Sequence, residues 1–303
     1  MRPERILRAG GHRLVLGGGR PLLMGIVNAT GDSFSDAGEH PTLAGRVRHA
    51  AELLEAGADL IDVGGESAFG GRPPVPPEEE LARVVPLVRR LSGDLGAIVS
   101  IDTYKPRVAE AALDAGAVIV NDVSGLRDPR LADVCAAAGA GLVVMHTRVA
   151  PLGTLLEPGY YDDVVADVHD FLAERIAVAR RRGVPEEALI VDPGTDFAKT
   201  PAQTVAVLRR LDVLHDLGRP ILLPVSRKDF LGAITGRPPR DRGAATLAAL
   251  AEGVDAGAHI LRVHDVAAAA DFLAVRAVLR GERELAPDEG LTPDRFPESS
   301  SLG

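Results

Sequence analysis

The residues of this chain best equipped for chemistry stand one step beyond short apolar runs. Asn28 closes the run 22–27 and leads into Asp32, Ser33, Phe34 and Asp36. Asp62 lies at the end of 59–63, ahead of Gly64, Gly65, Glu66 and Ser67. Asp102 follows 97–101, Asn121 and Asp122 follow 117–120, and His146 follows 141–145 with Arg148 close behind. Asp192 follows 188–191 and precedes Pro193, Gly194, Phe197 and Lys199. Ser226, Arg227 and Lys228 follow 220–225, and Arg262, His264 and Asp265 stand at the end of 258–263. A buried strand has no structural use for two adjacent cations such as Arg227 and Lys228. One polar residue at a strand end is ordinarily a solvated group or a helix N-cap, which is how Asp122 and Asp265 read. Eight such ends matter together only if the fold gathers them at one mouth.

The types in this set sort into two groups. Asp102, Asn121 and Asp192 offer carboxylates and an amide suited to a flat heterocycle with several N–H donors. Asn28, Arg262 and His264 suit a phosphate or diphosphate, and Lys228 could serve either part. The residues therefore suggest one ligand with a polar aromatic head and an anionic tail. With no His-x-x-x-His or carboxylate–His cluster, a metal site built from protein alone is not expected. A Mg²⁺ shared between Asn28 and a bound diphosphate suits that ion's taste for phosphate oxygens and water.

The elements that must position these residues follow from the rhythm of the chain. Between the eight apolar runs lie segments rich in Ala, Leu, Arg and Glu, predicting helices over 43–56, 77–92, 105–115, 129–138, 162–182, 201–211, 229–256 and 266–279. The seventh is interrupted near 236–240. Strands alternating with helices predict a parallel sheet with crossovers, and eight strands close into a barrel whose reactive loops share one end. The competing doubly wound open sheet usually carries a Gly-rich phosphate loop after its first strand. Gly17, Gly18 and Gly19 precede the first strand instead and read as a linker. The expected fold is α/β: one (β/α)8 TIM barrel over 21–280, capped by an N-terminal β-hairpin within 1–20, with a flexible tail over 281–303. Residues 4–8 and 12–16 flank Ala9, Gly10 and Gly11 as a hairpin would.

Composition narrows the partners. At 46% hydrophobic residues the chain can bury a sizeable core, and its net charge of −9 argues against nucleic acid or a membrane surface as partner. No apolar run is long enough to span a bilayer and the N-terminus shows no signal-peptide core. The lone Cys135, in an Ala-rich run, reads as a small buried apolar residue and suits a reducing cytoplasm.

Seven segments form an ordered set of motifs: Met24-Gly25-Ile26-Val27-Asn28-Ala29-Thr30-Gly31-Asp32-Ser33-Phe34-Ser35-Asp36, then Asp62-Val63-Gly64-Gly65-Glu66-Ser67. Ser100-Ile101-Asp102-Thr103-Tyr104-Lys105, Asn121-Asp122-Val123-Ser124-Gly125, Asp192-Pro193-Gly194, Ser226-Arg227-Lys228 and Arg262-Val263-His264-Asp265 follow. In order and spacing they are similar to the signatures of the dihydropteroate synthases, which the chain resembles from about 22 to 279. The resemblance implies a homodimeric, cytoplasmic TIM barrel of folate biosynthesis, a sulfonamide target. It would join 6-hydroxymethyl-7,8-dihydropterin diphosphate to p-aminobenzoate, with Mg²⁺ assisting at Asn28. It places the pterin at Asp102, Asn121, Asp192, Lys228, Met145 and Phe197, and the diphosphate at Asn28, Arg262 and His264. It places p-aminobenzoate at Phe34 and Ser226, with Ala68, Phe69 and Arg72 in the second loop. Asn28, Asp102, Lys228, Arg262 and His264 are the residues expected to carry catalysis, with Arg227 turned outward.

Four departures from the family pattern stand out. Ala68-Phe69-Gly70-Gly71 replaces the usual Thr-Arg-Pro-Gly, leaving Arg72 to reach back for the lost guanidinium. Gly31 replaces Pro and loosens the first loop. Asp196 replaces Gly and is expected to add negative charge beside the pterin. Pro224 replaces Gly and predicts a local irregularity beside Ser226, and Asp229 stands where Ser is common. The alternatives are a paralogue that binds pterin without synthase activity, or a methyltetrahydrofolate-type methyltransferase.

Overall fold

In the computed structural model, residues 4–30, 42–66, 73–286 and 289 are described. The chain opens with β1 (Arg5–Ala9) and β2 (His12–Leu16), an antiparallel pair with Arg5 opposite Leu16. Gly10 and Gly11 make the two-residue turn at φ 54° and 85°, left-handed at both positions as the twist of a hairpin requires.

Eight parallel strands follow: β3 (Leu22–Asn28), β4 (Leu60–Gly64), β5 (Val99–Asp102), β6 (Ile119–Asp122), β7 (Gly141–Met145), β8 (Leu189–Asp192), β9 (Leu222–Leu223) and β10 (Ile260–Val263). Their order β8-β7-β6-β5-β4-β3-β10-β9, with a parallel bridge from Val191 to Ile221, closes the ring. The closed barrel stands where the open sheet was the competitor. β9 is the shortest strand because Pro224 has no N–H for the ladder, the irregularity its place beside Ser226 predicts.

The helices are α1 (Leu43–Glu55), α2 (Pro77–Asp94), α3 (Pro106–Asp114), α4 (Arg130–Ala138), α5 (Val164–Arg181), α6 (Pro201–Arg209), α7 (Asp229–Thr235), α8 (Gly243–Asp255) and α9 (Val266–Leu279). The predicted seventh helix is split into α7 and α8 at Gly236, φ 70°, and at two prolines that cannot continue a helix. Asp265 caps α9 through the Ala268 N–H. Asp122 instead accepts the Ser124 and Leu126 N–H groups in the turn after β6. Among the described residues no helix is long and apolar enough to cross a membrane. The tail beyond 286, apart from 289, lies outside the described residues.

Period-two alternation along the strands divides the interior into two storeys. Leu60, Ile119, Val143, Ile190, Leu222 and Ile260 point inward in the lower one, where they pack with Met24 and with Leu7, Ala9 and Leu16 of the hairpin. The hairpin thus seals the N-terminal end of the barrel. Two residues further along five of those strands, the inward positions become Asp62, Asn121, Met145, Asp192 and Arg262. On β5, Ser100 and Asp102 face the same way. The outward positions, such as Leu23, Ile61, Ile101, Val120 and Leu261, bury against the helices.

Candidate active site

The upper storey is held by ionic hydrogen bonds across the barrel. Arg262 on β10 donates from Nε to Asp62 Oδ2 at 2.6 Å and from Nη2 to Asp102 Oδ2 at 3.0 Å. Asn121 Nδ2 donates to the same Asp62 oxygen at 3.1 Å. Two buried acceptors of this layer, Asp62 Oδ1 and Asn121 Oδ1, have no hydrogen-bond partner among the described residues. Buried acceptors are ordinarily paired, so these two oxygens call for an N–H group or an ordered water. Sequence reasoning placed Asp62 at a strand end without giving it a role. Its inward alternation with Leu60 was the available signal.

Burial pushes the Asp102 carboxyl up to about 7, with Arg262 opposing and Asp62 and Glu80 reinforcing. Its side chain keeps 14% exposure, so it opens towards the mouth. Burial likewise raises Asp192 to about 6, against the Gly194 N–H at 2.7 Å and the charge of Lys228. Burial also lowers Lys228, against Asp196 and Asp192. Its ammonium lies 4.4 Å from the centre of the Phe197 ring, a cation–π contact between two predicted pterin residues. Met145 is buried at the end of β7, in register with Asp192. Asn28 ends β3 opposite Gly64. A Cβ on that glycine would stand 3.9 Å from Asn28 Oδ1 and 3.7 Å from Asp102 Cβ, so the two site residues approach across it.

His264 and Ser226 form a hydrogen-bonded pair. The His264 backbone N–H donates to Ser226 Oγ at 3.2 Å, and the same hydroxyl lies 2.9 Å from Nδ1 of the ring. Burial and the cations Arg227, Arg262 and Lys228 push the pKa of the ring down to about 3. His264 is therefore a neutral hydrogen-bonding group at neutral pH. Arg227 is half-buried at φ 59°, and it leads the charges acting on His264.

Behind Phe197 lies a relay that sequence reasoning left without a role. Lys199 is 1% exposed. Its Nζ donates to Gly194 O at 2.9 Å, Phe197 O at 3.1 Å and His146 Nδ1 at 2.6 Å. His146 Nε2 in turn donates to Asp167 Oδ1 at 2.9 Å, and Arg148 grips the same carboxylate. Burial lowers Lys199 to about 7, against Asp192 and Asp167, and lowers His146 to about 4. Another buried group flanks the second loop: Lys105 donates to Glu66, Glu80 and Val75 O.

Asp196 leads the charges acting on Lys228, as its expected place beside the pterin suggests, but its carboxylate has a second engagement. Its Oδ2 accepts from the Asp229 and Phe230 N–H groups at 2.5 and 3.3 Å, because helix α7 begins there without a cap of its own. A cleft of about 470 Å³ opens beside Asp102 and Phe197, with Tyr104, Thr147 and residues 149–153 among its walls. Phe34, Ala68, Phe69 and Arg72, together with Gly31, lie outside the described residues.

The fold and this polar storey define a barrel enzyme that receives a hydrogen-bonding heterocycle with an anionic substituent. The family model of the pterin binding enzyme matches residues 24–264. The dihydropteroate synthase of Bacillus subtilis (strain 168) is 41% identical over 248 residues, 82% of this chain and 84% of its own. The solved Xanthomonas albilineans dihydropteroate synthase with 4-aminobenzoic acid superposes at a TM-score of 0.83 and 44% identity, covering 92% of this chain and 99% of its own. The Burkholderia cenocepacia dihydropteroate synthase complexed with 7,8-dihydropteroate gives 0.82 and 42%, covering 93% and 98%. The chain belongs to the pterin-binding enzyme family, within it to the dihydropteroate synthases.

Proposed function

We infer that this chain condenses 6-hydroxymethyl-7,8-dihydropterin diphosphate with p-aminobenzoate, giving 7,8-dihydropteroate and diphosphate. The observation that carries the assignment of residues is the polar storey itself. It contains two partnerless buried acceptors, Asp62 Oδ1 and Asn121 Oδ1, and two carboxyls poised near neutrality, Asp102 and Asp192. A pterin edge presents adjacent ring and amino N–H donors to such groups. Lys228 and Phe197 close the ring pocket from above, with Met145 as an apolar wall. Arg262 donates to two carboxylates among the described residues, which leaves other N–H groups of its guanidinium for the diphosphate. In this reading His264 carries its ring hydrogen on Nε2 and, with Asn28, supplies further donors.

The reaction is departure of a leaving group followed by capture. The methylene C–O bond breaks with its electron pair going to diphosphate, and the positive charge that develops spreads into the pterin ring. Ionised Asp102 and Asp192 face that ring and stabilise the charge, while Arg262 and the neutral His264 donor stabilise the departing oxygen. The amine of p-aminobenzoate attacks with its lone pair, the N–C bond forms, and the nitrogen sheds a proton. No enzyme nucleophile is required, and holding the two substrates in line supplies much of the rate. The p-aminobenzoate side is assigned to Phe34, Ser226, Ala68, Phe69 and Arg72.

Mg²⁺ belongs to this reading through Asn28. No group of three or more metal-ligating side chains occurs among the described residues. One amide oxygen completed by diphosphate oxygens and water is a donor set that Mg²⁺ accepts. Bound there, it would neutralise diphosphate charge. A homodimer, a cytoplasmic location and inhibition by sulfonamides complete the proposal.

The test is a coupled assay of diphosphate release with both substrates, alongside calorimetry with the pterin diphosphate. Turnover is expected. Binding without turnover would mean that the altered Ala68-Phe69-Gly70-Gly71 loop has made the chain a pterin-binding paralogue. Lys228→Ala is expected to abolish pterin binding, and normal binding by that variant would refute the site assignment.

A further inference from the structure

Lys228 occupies the position before the first turn of α7, where a Ser, Thr or Asp would normally cap the exposed N–H groups. Lysine has only donors and cannot do this. The missing acceptor comes from the loop after β8. Asp196 Oδ2 takes the N–H groups of Asp229 and Phe230, the two residues that follow Lys228. Its Oδ1 accepts from Thr204 Oγ1 at 3.2 Å, and Thr204 Oγ1 accepts the Asp196 N–H at 3.1 Å. Thr204 is fully buried on α6, so the carboxylate is itself fixed.

Its neighbour completes the arrangement. Thr195 Oγ1 donates to Pro224 O at 2.7 Å. The dipeptide Thr195-Asp196 therefore holds both ends of the turn that carries Ser226 and Lys228, one side chain before it and one after. The same loop continues directly into Phe197, whose ring meets the Lys228 ammonium. Asp196 does this at φ 65°, a left-handed conformation that glycine adopts without strain and aspartate tolerates. A side chain is thus kept where a glycine would sit more easily.

We propose that Asp196 is a positioning residue for the pterin half of the reaction, tying the Phe197 loop to the backbone after Lys228 so that the two walls of the ring pocket keep one spacing. The proposal rests on the assignment of Lys228 and Phe197 to the pterin. Asp196 also leads the charges that favour the protonated form of Lys228, ahead of Asp192, which is consistent with its closeness.

The test compares Asp196→Gly with Asp196→Asn in the full chain, measuring kcat and both KM values. Asp196→Gly removes the acceptor while relaxing the backbone. It is expected to raise KM for the dihydropterin diphosphate about fivefold, the size of a lost helix cap, with kcat and KM for p-aminobenzoate within about twofold. Asp196→Asn keeps an acceptor oxygen and tolerates positive φ, so it should stay within about twofold of the parent throughout. A pterin KM unchanged in Asp196→Gly would overturn the proposal. So would an Asp196→Asn variant as impaired as the glycine variant, or a rise in both KM values together. Lys228→Ala separates the two levels: normal pterin binding there sinks the pocket assignment, whereas its loss beside an unaffected Asp196→Gly sinks the positioning role alone.

Discussion

Replacing Arg262 by Met is the sharpest probe of the polar storey. Asp62 is fully buried, and its Oδ2 is shared by Arg262 at 2.6 Å and Asn121 at 3.1 Å. Asp102 has Arg262 as its hydrogen-bond donor at 3.0 Å. A methionine side chain fills much of the same space but leaves two carboxylates facing each other with one amide between them. Removing one partner of a buried ion pair costs roughly 3–5 kcal/mol, because the remaining charge stays desolvated. The loss is therefore expected near the top of about 3–5 kcal/mol at pH of about 8. It should shrink as pH falls, since a protonated Asp102 no longer needs the cation. Arg262→Lys should fall between, as one ammonium does not reproduce a fork reaching two carboxylates. Adding Asp62→Asn to Arg262→Met should recover about 1 kcal/mol or more by removing the stranded charge. Urea denaturation followed by circular dichroism reads the parent and all three variants. A loss under about 1 kcal/mol for Arg262→Met, or no recovery in the double variant, would refute the picture of a storey held together by this guanidinium.

Two further outcomes follow from the buried titrating groups. Because Asp102 and Asp192 are raised to about 7 and about 6, the folded protein holds protons there below neutrality, and a ligand needing carboxylate acceptors must expel them. Pterin affinity should rise with pH through that window. Calorimetry in buffers of different ionisation enthalpy should detect proton release on binding, and a flat profile would contradict the acceptor role. Lys199 is lowered from 10.5 to about 7, so between those values the unfolded chain binds more protons and stability should climb with pH. The gain is complete above 10.5 and gone once the pH has fallen to about 7. Lys199→Met should flatten the climb in denaturation midpoints measured from neutral to alkaline pH, leaving the share that the lowered Lys228 contributes, and an unchanged slope would place Lys199 elsewhere.

The barrel was legible because its strands are short apolar runs bounded by polar residues, and its helices are long enough to show their composition. Asp102, Asn121, Asp192 and Arg262 could be gathered from the sequence alone, since parallel strands in a closed ring must end at one rim. Three features escaped because they depend on distance across the fold. Asp167 sits in the first turn of α5, where an acid reads as a favourable helix charge. Only the folded chain brings it against His146. Lys199 stands among the strand-end residues without a role until three acceptors converge on it. Asp196 pointed to extra charge in the pocket, but not to the second use of its carboxylate on the uncapped turn after Lys228. The neutral state of His264 likewise depends on burial and on the cations that the fold gathers around it.

The hairpin beneath the barrel has a consequence for proton traffic. Leu7, Ala9 and Leu16 fill the lower end against apolar side chains from seven strands. Those side chains offer a proton no hydrogen-bonding groups to hop along, whereas Asp102 opens towards the mouth. The rim is therefore the favoured route by which Asp62, Asp102 and Arg262 exchange protons with bulk water. A ligand seated over them acts as a stopper: the protons that Asp102 and Asp192 give up leave as the pterin seats, before the bond breaks.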